Sequence, residues 1–164
     1  MIKINGKSFN KDIKELNLHN NQLTELPKEI GVLSSLNLLD LGNNQLTELP
    51  KEIGNLSNLI RLSLRKNQLV KMPKKICQLS NLNVLHLNYN KLTELSKEIC
   101  NLSNLERLDI EGNNIPNIIK GCGIEKREII SIKQSNDGVI YTYIGCDKFT
   151  LEEAVEAINE KYGK

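Results

Sequence analysis

The sequence contains no tryptophan, and aromatic side chains make up only 4% of its 164 residues. An interior built on packed rings is excluded, so Leu and Ile must supply the core. Lysine and arginine number 22 against 20 acidic residues, a net charge of +2. That excess is too small to attract nucleic acid through bulk electrostatics. No stretch reaches the roughly 18 apolar residues that a membrane-crossing helix needs. The polar opening MIKINGKSFN lacks the apolar centre of a secretory signal. Four cysteines, Cys77, Cys100, Cys122 and Cys146, form no CxxC pair and no tight framework. That usage fits a reducing, cytoplasmic setting. Sequons at Asn55 and Asn101 would matter only in a secreted chain.

Signatures of catalysis are missing too. Gly121-Cys122-Gly123 is not followed by the Gly-Lys-Ser/Thr of a phosphate loop. The two histidines, His19 and His86, fall three strand spacings apart in the reading below. That is roughly 14 Å, too far to share a metal. Neither an enzymatic centre nor a cofactor is expected, and both histidines read as exposed residues of a binding face.

What is present is a repeat. Residues 16–38 read LNLHNNQLTELPKEIGVLSSLNL, and residues 39–61 read LDLGNNQLTELPKEIGNLSNLIR. Two further units, LSLRKNQLVKMPKKICQLSNLNV and LHLNYNKLTELSKEICNLSNLER, precede a partial fifth, LDIEGNNIPNIIK. The period is 23 residues without insertion, and Leu16, Leu39, Leu62, Leu85 and Leu108 open the units.

Each unit reads physically. In Leu62-Ser63-Leu64 the leucines alternate with period two, so both face one side of a short strand. Strands one repeat apart would lie parallel, about 4.8 Å from one another. A turn asparagine follows in every unit: Asn21, Asn44, Asn67, Asn90 and Asn113. An amide both donates and accepts, so a column of them satisfies the backbone groups enclosed at the turn. The return carries Leu49, Ile53, Leu56 and Leu59 at spacings of three and four, as a short helical or 3-10 turn requires. Pro27, Pro50 and Pro73, replaced by Ser96 in the fourth unit, stand where the chain enters that turn. Gly31 and Gly54 give way to Cys77 and Cys100 at a position that wants a small side chain.

Residues 13–118 carry LxxLxLxxNxL in register five times, first as Ile13, Leu16, Leu18, Asn21 and Leu23. They resemble the leucine-rich-repeat superfamily, and the LPxxIGxLxxL pattern is similar to its 23-residue class. That class occurs in Ras-scaffold, Ras-suppressor and plant Ras-group intracellular proteins and in many bacterial repeat proteins. The resemblance implies an α/β solenoid, a short right-handed arc of parallel strands with helical or 3-10 returns. It also implies a function on the exposed strand face. Some bacterial effector ubiquitin ligases join such repeats to a Cys-x-Asp catalytic domain. Here Cys146-Asp147 are adjacent, and the tail of about 45 residues is too short for that domain.

Open solenoid ends need covers. Residues 1–12 read as a hairpin cap, with Ile2 and Ile4 alternating, Asn5-Gly6 at the turn and Phe9 beyond. Residues 119–164 read as a ββα cap with strands over 128–134 and 139–145. A helix then begins at Thr150, with Glu153 completing a capping box. A dimerising or partner-binding piece is the alternative, since an edge strand bearing Tyr141 and Tyr143 could take strand addition.

Between the framework leucines, the third unit offers Arg61, Arg65 and Lys66, and the fourth offers His86, Tyr89 and Lys91. The fifth adds Arg107, Asp109 and Glu111. Arg and Tyr are frequent binding hot spots. The expectation is a protein partner with an acidic or mixed-charge patch, without nucleic acid or membrane. The chain itself reads as a monomer or weak homo-oligomer, and a structural or self-assembling fragment of a larger scaffold is the competing reading.

Overall fold

The computed structural model describes residues 1–94, Ile99, 102–114 and the backbone strands at 128–130, 132–133 and 140–141. A hairpin comes first: β1 (Ile2–Ile4) pairs antiparallel with β2 (Lys7–Phe9). Asn5 and Gly6 take φ of 49° and 74°, the double left-handed turn that suits a two-residue hairpin. Ile2 and Ile4 are buried, and Asn5 Nδ2 donates to Asn21 O at 3.2 Å, tying the hairpin to the first repeat.

Five repeat strands follow: β3 (Glu15–Asn17), β4 (Leu38–Asp40), β5 (Arg61–Ser63), β6 (Val84–His86) and β7 (Arg107–Asp109). They pair in parallel and in sequence order, with Leu16, Leu39, Leu62, Leu85 and Leu108 in one row. Period alone sets this register: a slip of one residue would turn every leucine outward. The ladder runs past the strands, with Leu18 N donating to Asp40 O, Leu41 N to Ser63 O and Leu64 N to His86 O, each at 2.8 Å. A sixth strand, β8 (Glu128–Ile130), pairs parallel with β7. Next, β9 (Ile132–Lys133) pairs antiparallel with β10 (Ile140–Tyr141) in a separate sheet. The run expected as one strand over 128–134 is thus divided, its first part joining the repeat sheet. The expected helix from Thr150, and Ser96, Cys100, Cys122 and Cys146, lie outside the described residues.

The returns are 3-10 turns at Lys28–Val32, Lys51–Asn55 and Lys74–Gln78. Pro27, Pro50 and Pro73 precede them in extended conformation with φ of −67°, −64° and −66°. The proline ring presets φ, and each proline carbonyl accepts from the isoleucine three residues on. Ile30, Ile53 and Ile76 point inward to join Leu33, Leu56 and Leu79 in one continuous core. Successive returns pack closely: a Cβ at Gly54 would lie 2.4 Å from Lys75 O, and one at Gly31 2.7 Å from Glu52 O. Glycine is required at both places.

The turn asparagines are the polar spine. Asn67 Oδ1 accepts from Leu46 N at 3.1 Å, while its Nδ2 donates to Leu41 O at 2.9 Å and Leu64 O at 3.0 Å. Asn44, Asn90 and Asn113 repeat the pattern with Leu23, Leu69 and Leu92. All four are buried, while Asn21 at the first unit is only half-buried. Its Nδ2 reaches no further than His19 O. A second series, unforeseen from the sequence, runs outside: Asn58, Asn81 and Asn104 donate to Ser34 O, Ser57 O and Ser80 O at 2.7–2.8 Å. Its signal was in plain view, since these asparagines also recur every 23 residues.

Candidate binding face

Side chains on the solvent side of the strands fall into columns, one residue from each repeat. Asn17, Asp40, Ser63, His86 and Asp109 make the column nearest the core leucines. Asn17 and Asp40 turn back on their own chain, accepting from His19 N at 2.9 Å and Gly42 N at 2.8 Å. Ser63 is buried. His86 Nδ1 meets Asp109 Oδ2 at 2.5 Å, and Arg107 Nη2 reaches the same oxygen at 3.2 Å. The expectation of an exposed His86 is therefore corrected: its side chain is 15% exposed, drawn down onto the carboxylate of the next strand. His19 stays more open, 3.7 Å from Asp40 Oδ1.

The next column holds His19, Gly42, Arg65, Asn88 and Glu111. Gly42 has a steric role. A Cβ there would come within 2.9 Å of His19 Nδ1 and 3.1 Å of Arg65 Cγ, so its absence leaves room for both neighbours. Asn88 Oδ1 is enclosed and accepts no hydrogen bond.

A third column, Asn20, Asn43, Lys66, Tyr89 and Gly112, has positive φ throughout, from 53° to 70°. Amide hydrogen bonds to the following repeat hold it there, Lys66 N to Asn88 O at 2.9 Å and Tyr89 N to Glu111 O at 2.6 Å. Asparagine and glycine tolerate this region, whereas lysine and tyrosine are disfavoured in it. Period-23 reading places these residues but carries no trace of their φ.

The nine residues expected to form the face divide into two groups. Arg61, Arg65, His86, Arg107 and Asp109 line a concavity of about 430 Å³, together with Asp40 and Asn88. Lys66, Tyr89, Lys91 and Glu111 stand outside it. There Tyr89 Oη donates to Glu111 Oε1 at 3.4 Å, and Lys91 Nζ donates to Gln68 Oε1 at 3.2 Å. Among the described residues, the side chains of Arg61, Arg65 and Lys66 have no hydrogen bond or ion pair within the chain. No group of acidic, histidine and cysteine side chains suited to a metal occurs among the described residues.

Comparison with known proteins places this geometry. The leucine-rich repeat region family matches residues 11–110. A leucine-rich-repeat protein of Leptospira interrogans is 42% identical over 66% of this chain and 33% of its own, with a TM-score of 0.53. The plant peptide hormone receptor RGFR1, solved in complex with RGF2, is 40% identical over 66% of this chain and 18% of its own, with a TM-score of 0.59. The leucine-rich-repeat ectodomain of the receptor kinase SOBIR1 from Arabidopsis thaliana is 36% identical over 62% of this chain and 58% of its own, with a TM-score of 0.57. The chain thus spans a third or less of the first two relatives. No curated protein matches it.

Proposed function

We propose a protein-binding role for this chain, which belongs to the leucine-rich repeat family: it takes a partner on the exposed strand face, across the third to fifth repeats. The observation that carries this reading is the charge inventory of that face. Asp40 and Asp109 are engaged by neighbouring groups, whereas Arg61, Arg65 and Lys66 have no partner among the described residues and lie beside a Tyr89 that is 47% exposed. Unpaired cations beside an exposed aromatic suit a partner with an acidic or mixed-charge surface. A plant relative solved with the peptide hormone RGF2 lends support by analogy of fold.

Size sets a condition. Five strands about 4.8 Å apart span roughly 20–25 Å, and a standard interface buries about 800 Å² per partner. Most of the face must take part. The test is quantitative affinity capture from native lysate with the Arg65→Ala/Tyr89→Ala double variant. Loss of wild-type partners is expected, and survival of every one overturns the reading.

A second reading has one observation in its favour, the chain's short span beside its longer Leptospira relative. In it the repeats are part of a larger scaffold or self-assemble. Light scattering coupled to gel filtration separates the two, since self-assembly gives a mass above that of one chain. The cytoplasmic placement and the similarity to Ras-group proteins rest on cysteine usage and repeat pattern. A fluorescent fusion of the full chain tests the former.

A further inference from the structure

The concavity on the strand face has a donor set with nothing to bind. Arg61, in β5, and Arg65, two residues past its end, both line it, and neither guanidinium has a partner among the described residues. They stand four residues apart, about 13 Å along an extended chain, and the alternation puts both on its solvent side. Asn88 lines the same hollow one repeat away. Its Oδ1 is enclosed and takes no hydrogen bond, and its Nδ2 donates to no group among the described residues.

We propose that Arg61, Arg65 and Asn88 form a carboxylate-binding site for an acidic, extended segment of a protein partner. The inference rests on the strand-face reading above and names the chemistry one part of that face recognises. The two guanidiniums and the Asn88 N–H can only donate, so the ligand must supply acceptors to them, and a guanidinium matches the two oxygens of a carboxylate. Both acidic groups of the hollow already have partners within the chain. Asp40 Oδ1 accepts from Gly42 N, and Asp109 is held by His86 and Arg107.

Charge decides between a carboxylate and a phosphoryl group. Three arginines (61, 65 and 107) and two aspartates (40 and 109) line the hollow, one more cation than anion among them. A monoanion balances that charge, and a phosphate dianion overshoots it. Gly42 keeps the approach open beside Arg65, because any side chain there would meet Arg65 Cγ.

Fluorescence anisotropy at low salt tests the site with a labelled peptide of four Gly-Glu-Ser triplets, blocked at its C-terminus as the amide. The Glu peptide is expected to bind at least tenfold more tightly than its Gln counterpart. Arg61→Gln/Arg65→Gln should reduce it to the Gln level with an unchanged melting curve. Lys28→Gln/Lys51→Gln, which removes the same charge from the returns, should leave it within twofold. Independently of any variant, the Arg61 and Arg65 Nε–H signals of the wild-type protein should shift as the Glu peptide is added. An equal effect of both double variants, no effect of the arginine pair, or unmoved Nε–H signals overturns the site. Tighter binding of a phosphoserine version of the peptide overturns the carboxylate assignment. If the Glu peptide fails while Arg65→Ala/Tyr89→Ala still loses captured partners, the strand-face reading stands and this site falls.

Discussion

Tyr89 lies against the backbone of Gly112, so close that a Cβ on the glycine would stand 2.6 Å from Tyr89 Cδ1. Both residues occupy the left-handed column, with φ of 58° and 70°, on successive repeats. The glycine thereby sets where the one exposed tyrosine of the described face rests. Gly112→Ala is expected to cost about 1–3 kcal/mol, from the disfavoured φ and the displaced ring together. Urea unfolding measures the loss, and altered Tyr89 ring resonances in a folded variant locate it.

The turn asparagines should differ sharply by position. Asn67→Ala leaves Leu46 N without its acceptor, a buried group worth about 1–3 kcal/mol when unsatisfied, and takes one of two amide donors from Leu41 O and Leu64 O, which keep Asn44 Nδ2 and Asn90 Nδ2. A total loss of about 2–4 kcal/mol is expected. Asn21→Ala, at the half-buried first unit, should lose no more than about 1 kcal/mol. Equal midpoint shifts for the two variants in denaturant would contradict the buried-spine account.

Lys66 holds φ of 53° with no side-chain partner among the described residues, whereas Asn20 and Asn43 hold the same column and bond to one another at 3.1 Å. Lys66→Asn should therefore stabilise the fold by about 0.5–1 kcal/mol, since asparagine tolerates this region better. Lys66→Val should do the reverse, because a β-branched side chain is least compatible with it. The expected readout is an upward and a downward shift in melting temperature.

On the opposite side of each unit, Gly54→Ala drives a methyl to 2.4 Å from Lys75 O. Backbone must move, and a loss of about 1–3 kcal/mol is expected. Gly6→Ala makes an informative contrast. Nothing surrounds that position, and only its φ of 74° resists the change. Its penalty should stay near 1 kcal/mol. Parallel thermal melts rank the two.

Framework positions were readable from the sequence because period 23 acts on side-chain direction, which burial enforces. Leu62, Ile53 and Asn67 each had one place they could go. The concave residues obey no such constraint. His86 looked like an open surface side chain because nothing in the linear order pairs it with Asp109, 23 residues later. Nothing in the linear order marks Gly42 as the residue that makes room for His19 and Arg65. The left-handed column was hidden for another reason. Asn20 and Asn43 suggest it, but Lys66 and Tyr89 are the residues least expected there. Division of the 128–134 run was equally hidden, since alternation alone cannot say which neighbour a strand will choose.

The outer asparagines bear on how this molecule could have changed length. Asn58, Asn81 and Asn104 each reach the unit before, just as the inner amides do, so adjacent coils are joined by identical fastenings at both edges. Excising residues 39–61 would bring Asn81 over Ser34 in the place Asn58 now holds, and Asn67 over Leu18 in the place of Asn44. Loss or duplication of a whole coil leaves every join as it was, and only the span of surface offered to a partner grows or shrinks.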